Sequence, residues 1–202
     1  IVTRKKYSML DTIIILIPWG QYQIFNHGKF NPPTNGLKDF RYYAGTEFIN
    51  NPTKAEAKEH YYPRMTLYTK PFYGQARILK VECSVGKLIN DGDNVNEYTQ
   101  DDYIKAVKNL RVRMFDRGVN VLSEHLLDAS VVAFHVGKNI PLTGGYTTTL
   151  ATQELSKIDM SKKIDLNKAD FRNDGHSCQF YTNSYAFVMY DKIVDMNKSK
   201  GR

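Results

Sequence analysis

Cysteine is scarce in this chain: Cys83 and Cys178 are the only two in 202 residues. That excludes a disulfide-stapled scaffold and a structural zinc site made of cysteine alone. Two isolated cysteines on strand-like segments read as reduced core residues, which suits a reducing, cytoplasmic-type compartment. Long hydrophobic runs are missing as well. The longest, Thr12 to Trp19 in "DTIIILIPWG", is far too short to span a bilayer and reads as a buried strand. No membrane partner is expected. A charged start, an apolar stretch and a small-residue cleavage site never follow one another, so no signal peptide is expected either. The chain also lacks a P-loop, a dinucleotide fingerprint and a nucleophile-elbow serine, and no small-molecule cofactor is expected.

Acidic residues are in the minority. Twenty-eight Lys and Arg against 21 Asp and Glu leave a formal charge of +7, with a sequence pI near 9.2. Such a balance favours an anionic partner, of which nucleic acid is the commonest. Fourteen tyrosines interleaved with lysines and arginines suit base stacking beside phosphate contacts, although tyrosines also serve as core and strand surface. At 42% hydrophobic residues the composition fits a globular protein. The expectation is a flexible flank over 1–8 and a single domain over 9–202, open to a further C-terminal region.

Periodicity places the elements. Thr12–Trp19 is β-branched and stops at Pro18-Trp19-Gly20; Arg64–Lys70 and Ala76–Ser84 alternate polar with apolar residues. The link between the last two carries Pro71 and Gly74 and predicts a hairpin. "TQDDYIKAVKNLRVRMFDRG" predicts the clearest helix, with Thr99 or Asp101 as N-cap and Gly118 as its stop. Tyr103, Val107, Leu110 and Met114 form its apolar stripe, widened by Ile104 and Phe115, while Lys105, Lys108, Arg113 and Arg117 decorate the wetter sides. A strand over Ala129–Val136, a second helix over Thr147–Lys157 and a hairpin around Thr182-Asn183-Ser184 follow, with a further helix after Tyr190. Strands outnumber helices, which predicts an α+β fold: a central antiparallel sheet with helices packed mainly on one face.

Three groups of residues invite chemistry. Residues two apart on a strand share a face. His135 therefore shares one with Ala133 and Gly137, which leaves the imidazole room; Glu82 shares one with Lys80 and Ser84. If those strands are neighbours, His135 and Glu82 could bind one divalent ion, Mg²⁺ or Mn²⁺, with water completing the shell. A surface or capping role for His135 is the alternative. Near the end of the chain, Tyr190-Asp191-Lys192 follows the apolar run Ala186–Met189. A phenol is a poor nucleophile at neutral pH unless a cation stabilises the phenolate, and Lys192 serves if the extended conformation persists that far. The charged face of the long helix offers Lys105, Lys108, Arg111 and Arg113 for phosphate contacts, and Lys138 adds a further cation.

The order of these segments resembles a known family. "MLDTIIILIPWG", then "KVECSVGKLINDGDNVNEYTQDD" leading into the long helix, then "DASVVAFHVGKN", then "FVMYDKIVDM" are similar to the replication initiators of filamentous phages, the gene II protein family, and to rolling-circle plasmid and phage initiators more widely. The resemblance covers most of the chain from Met9 onward, and "VECSVGKLINDGDNV" is its most specific part. It implies an HUH-type nicking-and-joining endonuclease, with a metal site on the central strands and a tyrosine that attacks DNA. Tyr190 would be that tyrosine, Lys192 its companion, and Tyr181 a rival or second nucleophile; Glu82 and His135 would fall on the metal-bearing strands. Single-stranded or origin DNA would be the partner, with room for a host helicase. The chain departs from the pattern at "AFH", where Ala133 stands in place of a first histidine, and the family's Arg-x-Asp is missing. A DNA-binding module of the same fold without chemistry is the competing expectation.

Overall fold

The computed structural model describes residues 9–36, 47–69, 77–91, 98–137, 140, 142–157, 168–172, 177–181, 185–192 and 194. The chain divides into two compact units, one ending at position 139 and the other beginning at 140.

The first unit is built on a five-stranded antiparallel sheet. Its strands are β1 (Met9–Ile17), β3 (Glu47–Asn50), β4 (Arg64–Tyr68), β5 (Ile78–Ser84) and β7 (Ser130–Gly137), in the spatial order β3-β4-β5-β1-β7. A separate pair joins β2 (Tyr22–Ile24) to β6 (Val119–Val121). Helices α1 (Glu56–Glu59), α2 (Val85–Asn90), α3 (Gln100–Asp116) and α4 (Ser123–Leu127) complete the unit among the described residues. β1 begins three residues earlier than its β-branched run suggests and ends at Ile17, before Trp19. The expected hairpin is present: β4 and β5 pair antiparallel from Arg64↔Glu82 to Tyr68↔Ile78.

Alternation along these strands separates the two faces of the sheet. Ile15, Ile17, Met65, Leu67, Leu79, Val81 and Cys83 point to one side and form a single buried cluster with Leu88 and Ile89 of α2 and Ala106, Leu110 and Met114 of α3. Burial of such side chains is the main stabilising term of the unit, at about 1.5–3 kcal/mol each. The helix α3 starts where its sequence predicts. Thr99 and Asp102 form a capping box, with Thr99 N–H donating to Asp102 Oδ2 (2.8 Å) and Asp102 N–H to Thr99 Oγ1 (3.4 Å). It stops at Gly118, whose φ of +80° suits glycine. A Cβ there would stand 2.4 Å from the Cβ of Asn26, because Phe25 N–H and Asn26 N–H both donate to the Gly118 carbonyl.

Three expectations about α3 are corrected. Ile104 and Phe115 do not widen its buried stripe; both are half exposed, and Phe115 packs instead on Phe25 with ring centroids 4.8 Å apart. Arg117 is not on a wet face. It is buried and held by Asn50 Oδ1 (2.8 Å from Nε), the Asn51 carbonyl (2.8 Å from Nη2) and Glu56 Oε2 (2.6 Å from Nη1). Asn50 Nδ2 donates in return to the Arg117 carbonyl at 2.9 Å. The guanidinium thus ties the end of α3 to β3 and α1, and Glu56 also receives Lys29 Nζ at 2.6 Å.

The second unit contains α5 (Thr148–Ser156) and a three-stranded antiparallel sheet of β8 (Lys168–Arg172), β9 (Ser177–Tyr181) and β10 (Ala186–Tyr190), with β9 in the middle. The helix is capped by Thr147, whose hydroxyl accepts from Leu150 N–H, and lies against β9 and β10. The β9–β10 pair is the predicted second hairpin, with Ser177 opposite Tyr190 and Tyr181 opposite Ala186. The fold is α+β with an antiparallel sheet, as expected. Among the described residues no helix is long and apolar enough to cross a membrane.

Candidate functional site

The face of the large sheet opposite the buried core cluster carries Glu82, Ser84, Thr12 and His135 in register. Glu82, Ile14 and Ala133 stand opposite one another across β5, β1 and β7, and Ser84, Thr12 and His135 form the next row. Facing pairs in a sheet share a face, so Glu82 and His135 do lie on the same side. They are not on neighbouring strands, which corrects the expectation: β1 runs between them. Two strand spacings, about 10 Å, therefore separate their strands, and the two residues sit in different rows as well. Glu82 has a nearer cation in Arg64, its partner on β4, whose Nη1 is 4.0 Å from Oε1. His135 is exposed.

Asp11 joins this face by an irregularity. The β1–β7 register slips between Leu10 and Thr12, leaving Asp11 as an extra residue on β1. Its carboxylate accepts from Ser84 Oγ at 3.4 Å. Asp11 was not legible as a site residue, because simple alternation does not put it beside Ser84. Among the described residues, no three His, Cys, Asp or Glu side chains converge as a metal-holding group. His135 and Glu82 stand on either side of β1, with a guanidinium beside the carboxylate.

The second unit places Tyr190 at the end of the edge strand β10, exposed to 41%. The strand stops there, so the extended conformation does not persist to Lys192. Lys192 and Val194 are helical, and Asp191 Oδ1 accepts from Val194 N–H at 3.0 Å, a side-chain cap on the turn. The turn nevertheless returns Lys192 to the tyrosine. Its ammonium lies 3.4 Å from the Tyr190 hydroxyl and 5.7 Å from the ring centroid. Tyr181, on the central strand β9, is half-buried, and its hydroxyl donates to Gln179 Oε1. Of the two tyrosines, Tyr190 combines exposure with a neighbouring cation.

Other nucleophile types are set against reaction. Burial pushes the Cys83 thiol up to about 12, with Glu82 adding to the rise, and burial raises Cys178 too. Both cysteines are free and buried, as expected. Two phenols behave likewise: desolvation raises the buried Tyr22 and the partly buried Tyr61 well above the ordinary tyrosine value, and Tyr61 uses its oxygen to accept from Ser84 N–H at 2.7 Å.

The basic residues of α3 divide in two. Lys105, Lys108 and Arg111 are exposed, three residues apart along one broad side of the helix. Arg113 is engaged, with Nη2 3.2 Å from Asp91 and Nη1 3.7 Å from Asp116. Asp91 also binds His60 Nδ1 at 2.7 Å and accepts from Tyr61 N–H at 3.1 Å. Lys138 lies outside the described residues.

Comparison of the chain with protein-family models, with curated proteins and with solved structures finds no match.

Proposed function

We propose that this chain is a replication initiator of the rolling-circle type, which nicks and joins single-stranded origin DNA through a tyrosine–phosphodiester intermediate. The observation that carries the reading is the Tyr190–Lys192 pair: an exposed phenol at a strand end with an ammonium 3.4 Å from its oxygen. A cation at that distance stabilises negative charge on the phenolic oxygen as its proton leaves, and stabilises the charge that grows on phosphate oxygens in line with it. Attack by the Tyr190 oxygen forms a bond to phosphorus as the bond to the 3′ oxygen breaks. The products are a 5′-phosphotyrosine and a 3′-hydroxyl able to prime synthesis.

Lys105, Lys108 and Arg111 supply the sequence-independent part of DNA binding in this reading, and the HUH-type architecture belongs to the same proposal. A host helicase enters on the resemblance alone, and a cytoplasmic location on the scarcity of cysteine. The metal, Mg²⁺ or Mn²⁺, enters on the expected His135–Glu82 pair together with the resemblance. His135 and Glu82 stand on either side of β1, and the attack itself is carried by Tyr190 and Lys192.

The separation of those two side chains favours a second reading, a DNA-binding module of the same fold without chemistry. One experiment divides the readings. The chain is incubated with a labelled single-stranded oligonucleotide pool, with Mn²⁺ or with a chelator, and run on a denaturing gel. A band that survives denaturation supports the enzyme. Binding that is equally tight in both conditions, with no such band, supports the module.

A further inference from the structure

Trp19 is the only tryptophan of the chain, and it is 56% exposed in the turn that ends β1. An indole in that position is unusual, since so large an apolar ring is mostly buried. It is also held in place. Tyr22, itself buried, meets it edge-on with ring centroids 5.6 Å apart and planes at 82°. The guanidinium carbon of Arg77 stands 4.7 Å from the indole centroid. Tyr22 completes the frame by donating its hydroxyl to the Arg77 carbonyl at 2.8 Å.

The backbone is strained to make this arrangement. Arg77 has φ +57°, in the left-handed region that favours glycine. Such outliers gather where a ligand is met. The turn itself is open: Gly20 has φ +94°, and a Cβ there would meet nothing within 4 Å. The platform is thus one fixed ring and one fixed cation beside the open turn at Gly20. That suits a planar base beside a phosphate better than the apolar anchor of a protein partner.

We propose that Trp19 and Arg77 form a stacking platform for one base of single-stranded nucleic acid, with the Arg77 charge serving the adjoining phosphate. The proposal rests on the reading that the chain engages single-stranded DNA. It places a contact at the opposite end of β1 from the Thr12–Ser84–His135 row. Ile17 lies five residue steps along the strand from Thr12, about 17 Å. Every base presents a π-face, so the contact would not select sequence.

The single tryptophan makes the test direct. Binding of the full chain to fluorescein-labelled oligothymidine is followed by anisotropy, and Trp19 emission is followed with the unlabelled strand and with an abasic strand of equal length. The expected result is quenching by oligothymidine at the anisotropy midpoint, weaker binding and little quenching by the abasic strand, and roughly tenfold weaker oligothymidine binding in Trp19→Leu. Trp19→Phe should keep most of the affinity. Anisotropy binding with unchanged emission, equal quenching by the abasic strand, or wild-type affinity in Trp19→Leu overturns the platform and leaves DNA binding standing. No anisotropy change at low salt removes both. Should Trp19→Leu not fold, the wild-type emission decides.

Discussion

The Lys192 ammonium reaches the Tyr190 hydroxyl at 3.4 Å although the two residues belong to different local structures, a strand end and a helical turn. The change of conformation brings the cation back, where continued strand would have carried it onward by about 7 Å. The Asp191 side chain between them caps the turn, so each residue of Tyr-Asp-Lys has a part in the geometry.

If that contact serves catalysis, removing the charge should cost rate and leave the fold intact. Lys192→Met is expected to lower the single-turnover rate of adduct formation by about 10²-fold, the scale for loss of one preorganised electrostatic contact. Lys192→Arg should retain part of it. Equal rates for all three proteins, measured on a denaturing gel, would remove Lys192 from the mechanism.

The exposed basic side of α3 gives a prediction about salt. Changing Lys105, Lys108 and Arg111 together to alanine should flatten the dependence of log affinity on log salt by about 2, given roughly 0.7 per phosphate contact on single strands. Stability should change little, since none of the three is buried. An unchanged salt slope places the phosphate contacts elsewhere.

Arg117 should behave in the opposite way. Arg117→Ala leaves Glu56, Asn50 and Asn51 without their shared partner and is expected to cost about 3–5 kcal/mol in urea unfolding. Arg117→Lys should recover only part, because an ammonium cannot reproduce the three-way fork. A loss under 1 kcal/mol would mean that the cluster is not holding α3 to β3.

Glu56 makes the same cluster sensitive to acid. Hydrogen bonding from Lys29, then from the Thr53 backbone, holds its carboxyl at about 2, below the ordinary value of 4.5. A depressed carboxylate stabilises the fold above its unfolded value and loses that contribution as pH falls. The stability gap between wild type and Glu56→Gln should therefore be full above about pH 5 and shrink between 4.5 and 2. A gap independent of pH would show that the carboxylate charge is not what matters.

The sequence exposes what is local and conceals what is not. The α3 cap was readable as one of two candidates, of which the capping box with Asp102 selects Thr99 over Asp101, and Gly118 because helices need such a stop. Thr53 and Glu56 have that three-residue spacing and also exchange hydrogen bonds, a signal masked by the loop-rich stretch around it. Arg117 could not be read, since its partners lie more than 60 residues away. Strand order was hidden for the same reason: alternation puts Glu82 and His135 on faces, but only the fold shows β1 between them. Tyr190 and Lys192 were legible as a pair because their contact spans two residues, though through a turn rather than a strand.

The most direct test of the central claim is to find where DNA attaches. The denaturant-resistant adduct is digested with trypsin and nuclease, and the nucleotide-bearing peptide is fragmented finely enough to separate Tyr181 from Tyr190. The account predicts the phosphonucleotide on Tyr190 and no adduct from Tyr190→Phe. A mark on Tyr181, or an undiminished adduct in Tyr190→Phe, would contradict it.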